Sequence, residues 1–478
     1  MVEKLTPDIC VIGAGSGGLS MAAAAAAFGV PVVLIEKGRM GGECLNTGCV
    51  PSKAMIAAGR RAEAMRASGP FGIKPPRPAI EFDQVNDHIH RVIDAVAPND
   101  SKERFNALGV RVIEGEARFR DTRTVVVGYE PDIRFEIAAR RFVVATGSQP
   151  LVPPISGIEQ VPYLTNETVF ETRERPKHLI IIGGGPIGIE LAQAFRRLDS
   201  DVTVLEVSQP LGKEDPECAA IVLDACAREG ITIRSGVKVE RVRRRNARIE
   251  VVLAGETEET IQGTDLLVAA GRRPNIGGLD LDAARIRYEP TGIVVNARLG
   301  TTNKRVYAIG DVIAGPQFTH AANYQAAQLV RHLLFRLPIK VDFNDIPRVT
   351  LTDPELAHVG LTDAQAREHH GTIRVLRWPY HENDRAQTER ETRGHIKVVT
   401  DKKGTILGAT IVGAAAGELI VAWTLAISHG LNIRSFAEIV MPYPTYSEIG
   451  KRAAIGFFTP RLTRPWVRRI LKQLRRFG

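Results

Sequence analysis

The chain has 478 residues, a formal net charge of +9 and an apolar content of 44%. That length exceeds what one hydrophobic core usually supports and predicts three or more domains. No uninterrupted apolar window reaches about 18 residues, which argues against a transmembrane helix. Five cysteines in so long a chain exclude a disulfide-rich scaffold.

The first predicted elements form a nucleotide-binding motif. An apolar strand, an alanine-rich helix and a second apolar strand follow one another, and the second strand ends at Glu36. Three glycines lie between the first strand and the helix: Gly13, Gly15 and Gly18. In order, they permit a tight turn, the approach of a pyrophosphate, and close helix–strand packing. The helix N-terminus can bind phosphate and Glu36 a ribose hydroxyl, so we predict a Rossmann-like dinucleotide-binding unit.

The apolar stretch at residues 19–35 has some features of a signal sequence. It lacks a charged leader directly before it, and the run Gly29-Val30-Pro31 divides it into a helix and a strand. We therefore interpret it as part of the fold and expect a cytoplasmic protein.

The next segment, residues 41–53, carries the most informative side chains. Cys44 and Cys49 are separated by four residues, which is not a usual zinc spacing, and no second ligand pair accompanies them. A cysteine pair beside a nucleotide-binding unit is typical of a redox disulfide. We interpret the other three cysteines as packing residues and expect no resident metal.

A second motif repeats the first design farther along the chain. Its glycines are Gly183, Gly185 and Gly188, and its second strand ends at Glu206. In both motifs the acid follows the first glycine by 23 residues, which indicates two complete mononucleotide-binding units. The carboxylate of Glu206 favours the free 2′-hydroxyl of NAD and repels a 2′-phosphate. We therefore expect NADH as the cofactor, with NADPH less favoured.

These motifs, taken together, resemble those of the class I pyridine nucleotide-disulfide oxidoreductases, the family of dihydrolipoamide dehydrogenase, glutathione reductase and mercuric reductase. The resemblance covers the chain to about residue 458. It includes four further runs: Ala145-Thr146-Gly147, Gly271-Arg272-Arg273-Pro274-Asn275, Tyr307-Ala308-Ile309-Gly310-Asp311 and residues 407–413.

The resemblance implies an α/β fold with two Rossmann-like dinucleotide-binding domains and a C-terminal α+β dimerisation domain. The implied segments are FAD binding at 1–150, NAD(P) binding at 151–275, a return to the FAD domain at 276–345, dimerisation at 346–458 and a basic tail at 459–478. A homodimer that binds FAD and NADH is expected.

Further site residues follow from the same resemblance. Asp311 should contact the ribityl–pyrophosphate region of FAD, and the remaining cofactor contacts are expected at Thr146, Gly147 and Gly271. Lys53 and Glu190 match the ion pair beside the flavin, where a lysine can stabilise negative charge on the reduced ring.

The resemblance also implies the reaction. Electrons pass from NADH through FAD to the Cys44–Cys49 disulfide and then to a small-molecule acceptor. Cys49 is expected to face the flavin as a thiolate, and Cys44 to be the thiol that exchanges with the acceptor. A thiolate requires a lowered pKa, so positive charge or a base should lie nearby.

The usual base is replaced in this chain. Where many disulfide-reducing relatives carry histidine, the segment reads Tyr443-Pro444-Thr445-Tyr446-Ser447-Glu448, and only the acid keeps its place. A phenol titrates near ~10, so Tyr443 is a poor proton shuttle at neutral pH. This points to a mercuric-reductase-like variant, with a disulfide, soft metal ion, quinone or small oxidant as acceptor. The alternatives are a dihydrolipoamide dehydrogenase and a membrane-recruited redox sensor.

The last predicted element is a basic helix within residues 461–478, which hold six arginines, one lysine and no acid. Thr463 and Pro465 are start signals. One arc of the helix is apolar: Trp466, Val467, Ile470, Leu471, Leu474 and Phe477. The opposite arc is basic: Arg468, Arg469, Lys472, Arg475 and Arg476. The helix either docks on its own domain or lies on an anionic membrane surface, peripheral at the inner face. Nucleic acid is not expected, because the remaining charge is nearly balanced.

Overall fold

The computed structural model describes the chain in two units. The described residues are 2–129, 131–255, 259–462 and 465–477. Contacts divide the chain into one unit of residues 1–207 and 236–343, and a second of residues 208–235 and 344–478. The five-segment division expected from the sequence stays a prediction, and Thr463 lies outside the described residues.

The helices have the following bounds: α1 Ser16–Ala27, α2 Gly42–Asn46, α3 Cys49–Arg66, α4 Phe82–Val96, α5 Lys102–Ala107, α6 Pro186–Arg197, α7 Pro216–Arg228, α8 Thr319–Phe335, α9 Asp363–His370, α10 Asp384–Glu389, α11 Ala416–Ser428, α12 Arg434–Glu438, α13 Glu448–Gly456, α14 Thr459–Leu462 and α15 Pro465–Leu474. Within the described parts of the chain, none of them combines the length and apolar content that a bilayer span requires.

The strands have the following bounds: β1 Glu3–Leu5, β2 Ile9–Ile12, β3 Val32–Glu36, β4 Val110–Glu114, β5 Ala117–Phe119, β6 Val125–Val127, β7 Phe135–Ile137, β8 Arg141–Val144, β9 Ser148–Pro150, β10 His178–Ile182, β11 Asp201–Glu206, β12 Thr232–Ser235, β13 Val239–Arg245, β14 Arg248–Leu253, β15 Glu259–Gly263, β16 Asp265–Val268, β17 Arg272–Pro274, β18 Tyr288–Glu289, β19 Gly292–Ile293, β20 Val306–Ala308, β21 Arg348–Thr350, β22 Glu355–Gly360, β23 Ile373–Pro379, β24 His395–Asp401 and β25 Ile406–Gly413.

The first unit contains a five-stranded parallel sheet in the order β20-β8-β2-β3-β4. Its central strand, β2, is apolar and buried at every position, as a parallel strand covered on both faces must be. Successive strands lie on opposite sides of β2, so the strand order reverses there. Ligands of such sheets bind at the carboxyl end of the strands at this point, and α1 begins directly after it.

The second nucleotide-binding motif lies on a similar set of strands. β10 pairs in parallel with β11 on one side and β16 on the other, and α6 follows β10. β9 and β17, which precede and follow this part of the chain, form a short antiparallel pair. The first unit therefore contains two strand–turn–helix sites of the same design, as the sequence predicts.

The second unit is built on an antiparallel sheet in the order β21-β22-β25-β24-β23. Helices α7, α11 and α13 contact this sheet. The buried Trp423 of α11 stacks on Phe436, with ring centroids 3.8 Å apart. This α+β unit, together with the two parallel α/β sites, confirms the predicted fold class.

The predicted C-terminal helix is present as α15, but its apolar face is not packed. None of its residues is buried: Trp466 is 57% exposed, and Phe477, just after the helix, is 88% exposed. The structure therefore lends no support to the interpretation in which this face docks on its own domain.

Candidate redox site

The two cysteines of segment 41–53 lie in two consecutive helices. Cys44 is in the short helix α2, and Cys49 is the first residue of α3. Both are free thiols that hydrogen-bond to each other. The Cys49 Sγ atom is 3.5 Å from the hydroxyl of Thr319, the first residue of α8.

The two thiols differ strongly in acidity. The hydrogen bond from Cys44 lowers the pKa of Cys49 to about 5 against the opposing effect of burial, with further help from Thr319 and the charge of Lys53. The same hydrogen bond and burial raise the pKa of Cys44. At neutral pH the pair therefore holds one proton on Cys44 and a thiolate at Cys49. This order supports the predicted roles.

Helix geometry favours the same charge distribution. Cys49 opens an 18-residue helix and Thr319 opens a 17-residue helix. A helix N-terminus carries partial positive charge and free N–H groups, and both stabilise a thiolate.

Replacing Thr319 by valine tests this environment. A hydrogen bond to a charged group contributes about 1.5–3 kcal/mol, so we expect the pKa of Cys49 to rise to roughly 6–7. Peptide-resolved iodoacetamide alkylation of the reduced protein as a function of pH would measure it. Thr319→Ser, which keeps the hydroxyl, should behave like the wild type. An unchanged midpoint in Thr319→Val would contradict the assignment.

An ion pair lies one helical turn beyond Cys49. The Lys53 Nζ atom is 2.8 Å from a carboxylate oxygen of Glu190, and Glu190 is buried in α6. These two residues are 137 positions apart, and the structure brings them together as the resemblance implies. A cation held by a buried carboxylate is well suited to stabilise negative charge on a redox group beside it.

The first glycine motif has the shape that a pyrophosphate requires. Gly13 adopts a φ of +105°, which favours glycine, and an added Cβ at Gly18 would collide with the Gly13 carbonyl. Nothing lies within 4 Å of the place where a Cβ on Gly15 would be. The carboxylate of Glu36 accepts the Ala14 N–H at 2.6 Å. The residues present therefore fit a dinucleotide.

The second motif repeats these features. Gly183 has a φ of +115°, Gly188 would collide with the Gly183 carbonyl if it carried a Cβ, and the position beside Gly185 is open. Glu206 accepts the Gly184 N–H at 2.7 Å. The acid thus lies at the turn, where a ribose of the second nucleotide is expected.

The remaining predicted cofactor residues lie in runs that contact one another. Thr146 donates its hydroxyl to the Asn275 carbonyl at 2.8 Å, and the Asn275 N–H donates to Gly147 at 2.9 Å. Asp311 accepts the Ser148 hydroxyl at 2.7 Å. Gly271 directly precedes β17. Three sequence runs that are far apart in the chain therefore meet beside the first sheet.

The sequence analysis did not predict a cluster of polar side chains around Glu43, the residue before Cys44. The guanidinium of Arg272 binds both carboxylate oxygens of Glu43, and the Asn166 amide donates to Glu43 at 2.8 Å. Burial raises the pKa of Glu43 to about 7, while Arg272 lowers it. Glu43 lies in the segment 41–53, and Arg272 lies in the run from Gly271 to Asn275. No sequence signal pairs them, because they are 229 residues apart.

Tyr443 and Glu448 lie in the second unit. Tyr443 is 69% exposed and donates to Asp384 at 2.8 Å, a hydrogen bond that raises the pKa of the phenol further. Glu448 begins α13. Tyr443 is therefore even less able to exchange a proton at neutral pH than its residue type suggests. Its role and that of Glu448 stay predictions.

Comparisons with known families match most of the chain. Residues 7–326 match the family described as pyridine nucleotide-disulphide oxidoreductase, and residues 346–454 match its dimerisation domain. The mercuric reductase of Lysinibacillus sphaericus is 35% identical over 462 residues, which cover 96% of this chain and 84% of that protein. The dihydrolipoyl dehydrogenase of Bacillus subtilis (strain 168) is 34% identical over 453 residues, covering 94% and 95%.

Solved structures give the same result. The Cu(II) complex of the HOCl-induced flavoprotein disulfide reductase RclA from Escherichia coli superposes with a TM-score of 0.85 at 27% identity. The match covers 94% of this chain and 99% of that one. The likeness therefore includes the nucleotide-binding and the dimerisation parts together.

Proposed function

This chain belongs to the class I pyridine nucleotide-disulfide oxidoreductases, and we propose that it passes electrons from NADH through the Cys44–Cys49 pair to a thiophilic metal ion. It is an NAD(P)H-dependent flavoprotein oxidoreductase of the dihydrolipoamide dehydrogenase and mercuric reductase branch. The family implies FAD and a pyridine nucleotide. The observation that carries the proposal is the position of the Cys44–Cys49 pair, with Cys49 next to Thr319 and one helical turn from the Lys53–Glu190 ion pair, an environment that lowers the pKa of Cys49.

FAD, when bound, supplies a two-electron relay between the nicotinamide and the thiols. Gly13, Gly15 and Gly18 would admit its pyrophosphate, and Asp311 would lie near the ribityl chain. Lys53 would balance negative charge, with its own charge held in place by Glu190. When the Cys44–Cys49 disulfide accepts two electrons it also accepts one proton, which remains on Cys44, while Cys49 remains a thiolate.

Proton balance favours a metal ion over a disulfide as the acceptor. Reduction of a disulfide by NADH consumes a proton, and each thiolate product must be protonated. Reduction of one Hg(II) ion or of two Cu(II) ions requires no proton to be delivered. Tyr443, exposed and held by Asp384 with a raised pKa, is poorly suited to deliver one. Soft thiolates also bind such ions well.

A screen of acceptors tests the proposal. With NADH as the donor, Hg(II) and Cu(II), each supplied as a chloride salt in thiol-free buffer, should be reduced at least about tenfold faster than lipoamide or glutathione disulfide. Because Tyr443→His restores a base that titrates near neutrality, it should raise lipoamide turnover selectively. Faster reduction of lipoamide by the wild type would instead make the protein a dihydrolipoamide dehydrogenase.

The choice of NADH over NADPH depends on the charge of Glu206. Glu206→Gln keeps an oxygen for the Gly184 N–H but removes the repulsion of a 2′-phosphate. We expect the ratio of kcat/KM for NADPH to that for NADH to rise about tenfold. The matched change Glu36→Gln, in the first motif, should leave that ratio unaltered. An unchanged ratio in Glu206→Gln would show that another residue selects the nucleotide.

The dimerisation domain supports a homodimer. In the second unit, exposed apolar side chains of α11 and of the segment after α12 offer a surface for a second copy: Val421, Leu425, Ile439 and Val440. Exposed patches of this kind often mark protein interfaces. Tyr443 follows this segment, so the partner copy could cover it.

We further propose that α15 attaches the enzyme to an anionic membrane surface. Residues 465–477 expose Trp466, Ile470, Leu471, Leu474 and Phe477 and carry five basic residues with no acid. A lipid surface matches both properties, because acyl chains accept the apolar arc and anionic headgroups attract the basic arc. No other element of the second unit buries these apolar side chains in the described residues.

Vesicle co-sedimentation tests the attachment. The full chain should bind vesicles of phosphatidylglycerol and phosphatidylcholine, and a 1–460 truncation should not bind. Each basic residue contributes about 1 kcal/mol near such a surface, so binding should weaken steeply with salt and be absent on pure phosphatidylcholine. Equal binding of both proteins would exclude the helix as the anchor. Lipid binding without turnover of any acceptor would favour a membrane-recruited redox sensor.

A further inference from the structure

We propose that Glu43 is a positioning residue for Cys44. Its carboxylate, held by Arg272 and Asn166, would keep the short helix α2 in place while the Cys44–Cys49 bond opens and closes. The inference rests on the proposed function only in that this pair cycles between disulfide and dithiol.

Helix α2 cannot hold its own position. It contains five residues, Gly42–Asn46, and is entered through two glycines with positive φ, Gly41 and Gly42. A helix of little more than one turn has few internal hydrogen bonds and is unstable in isolation. The Asn46 side chain donates to Met40 and Gly42, but these contacts stay within the same loop. The orientation of α2 therefore depends on contacts with other parts of the first unit.

Glu43 provides a charge-assisted contact of this kind. Arg272 binds its carboxylate with two N–H groups, and Asn166 donates to the same carboxylate at 2.8 Å. Arg272 and Asn166 are largely buried, with exposed fractions of 11% and 9%. Two-pronged pairs of this type fix both distance and direction.

Arg272 is itself rigidly held. Its Nε–H donates to the Ser148 hydroxyl at 2.8 Å, another N–H donates to the Ser148 carbonyl at 3.1 Å, and Asp311 lies 3.7 Å away. Ser148 begins β9 and Arg272 begins β17, the two strands that pair with each other. Glu43 directly precedes Cys44. Through its side chain and that of Arg272, α2 is therefore connected to a fixed strand pair.

The expected consequence concerns the stability of the disulfide. The two sulfurs form a bond readily only while α2 and α3 keep them within reach, which amounts to a high effective concentration. If Glu43 is removed, α2 can move in the dithiol form but is still held by the S–S bond in the disulfide form. The dithiol form therefore gains conformational entropy relative to the disulfide form. We expect the equilibrium constant for disulfide formation to fall about tenfold, which for this two-electron couple is about 30 mV.

The experiment uses the FAD-loaded protein in anaerobic mixtures of oxidised and reduced dithiothreitol. Here the protein disulfide takes two electrons from the reagent dithiol, which closes to its cyclic disulfide. Of the two protons that the reagent releases, one is taken up by Cys44 and the other goes to the buffer, because Cys49 remains a thiolate. Alkylation followed by mass spectrometry of the peptide carrying both cysteines gives the midpoint. The midpoint of Glu43→Ala should be more oxidising than that of the wild type. Arg272→Met should show the same shift as Glu43→Ala, and the double variant should shift the midpoint little further.

Glu250→Ala is the matched control. Glu250 is also a buried carboxylate of the first unit, bound by Arg243 at 2.7 Å and by Gln262 at 3.1 Å. It lies in the antiparallel strands β13–β15, which carry no cysteine, so its loss should not move the midpoint. Glu43→Gln, which keeps an acceptor oxygen and the side-chain volume, should shift the midpoint less than Glu43→Ala and serves if the alanine variant does not fold.

A wild-type midpoint in both Glu43 variants, or an equal shift in Glu250→Ala, would overturn the proposal. A wild-type pair that never interconverts between disulfide and dithiol would instead overturn the proposed function. The two failures are distinguishable, because the titration involves neither NADH nor the acceptor.

Discussion

Replacing Cys49 by serine should reduce NADH-driven acceptor reduction by at least about 10³-fold, because a serine hydroxyl cannot form the thiolate or the disulfide that the reaction requires. Loss of a single member of a catalytic unit usually costs nearly as much as loss of the whole unit. The measurement is steady-state oxidation of NADH with Hg(II) or Cu(II) as the acceptor. Binding of NADH itself should persist, since Gly183, Gly185 and Glu206 are unchanged.

Thiol counting makes this test specific. Cys10, Cys218 and Cys226 are buried, and a bulky maleimide should therefore report only Cys44 and Cys49 in the native protein. After anaerobic addition of NADH, the oxidised wild type should gain two reactive thiols per chain. Cys10→Ser, a change at a buried strand position outside the pair, is the control and should gain the same two thiols. Full activity of Cys49→Ser would remove the disulfide from the electron path.

Replacing Lys397 by methionine should destabilise the second unit by about 3–5 kcal/mol. Lys397 is 4% exposed, and its ammonium lies 2.6 Å from Asp215 and 3.2 Å from Asp363. Asp215 is also buried and caps the N-terminus of α7 by accepting the Glu217 and Cys218 N–H groups. Removal of the lysine would leave that carboxylate buried without its cation, which is the costly half of a buried ion pair.

Tryptophan fluorescence can measure this effect in the second unit alone. All three tryptophans of the chain, Trp378, Trp423 and Trp466, belong to the second unit, and Trp423 is buried. The midpoint of urea unfolding followed by fluorescence should fall in Lys397→Met. Arg228→Met removes an exposed i,i+4 pair with Asp224 and should change stability by less than about 1 kcal/mol.

A double variant separates charge from packing. Lys397→Met combined with Asp215→Asn removes the uncompensated charge and keeps a side chain that can cap α7. It should recover part of the lost stability. If the double variant is as unstable as the single one, the loss comes from packing of the lysine stem and the electrostatic explanation is wrong.

The sequence by itself determined the two strand–turn–helix motifs and predicted the redox pair. Cys44 and Cys49, the two glycine sets and the acids at 36 and 206 are local patterns, because each motif fits within one strand–turn–helix segment. Resemblance supplied the Lys53–Glu190 pair, which the structure shows at 2.8 Å. It also supplied the fold class, which the matched family confirms.

Only the tertiary structure decided which distant side chains meet. Thr319 beside Cys49, Arg272 on Glu43 and Lys397 on Asp215 join residues 270, 229 and 182 positions apart. The charge pattern of the tail left two interpretations open, and the structure showed its apolar face exposed. Local periodicity and spacing indicate which face of an element is apolar, but not which residues pack against it. A pKa, an ion pair and a buried charge depend on those packed residues, and only folding brings them together.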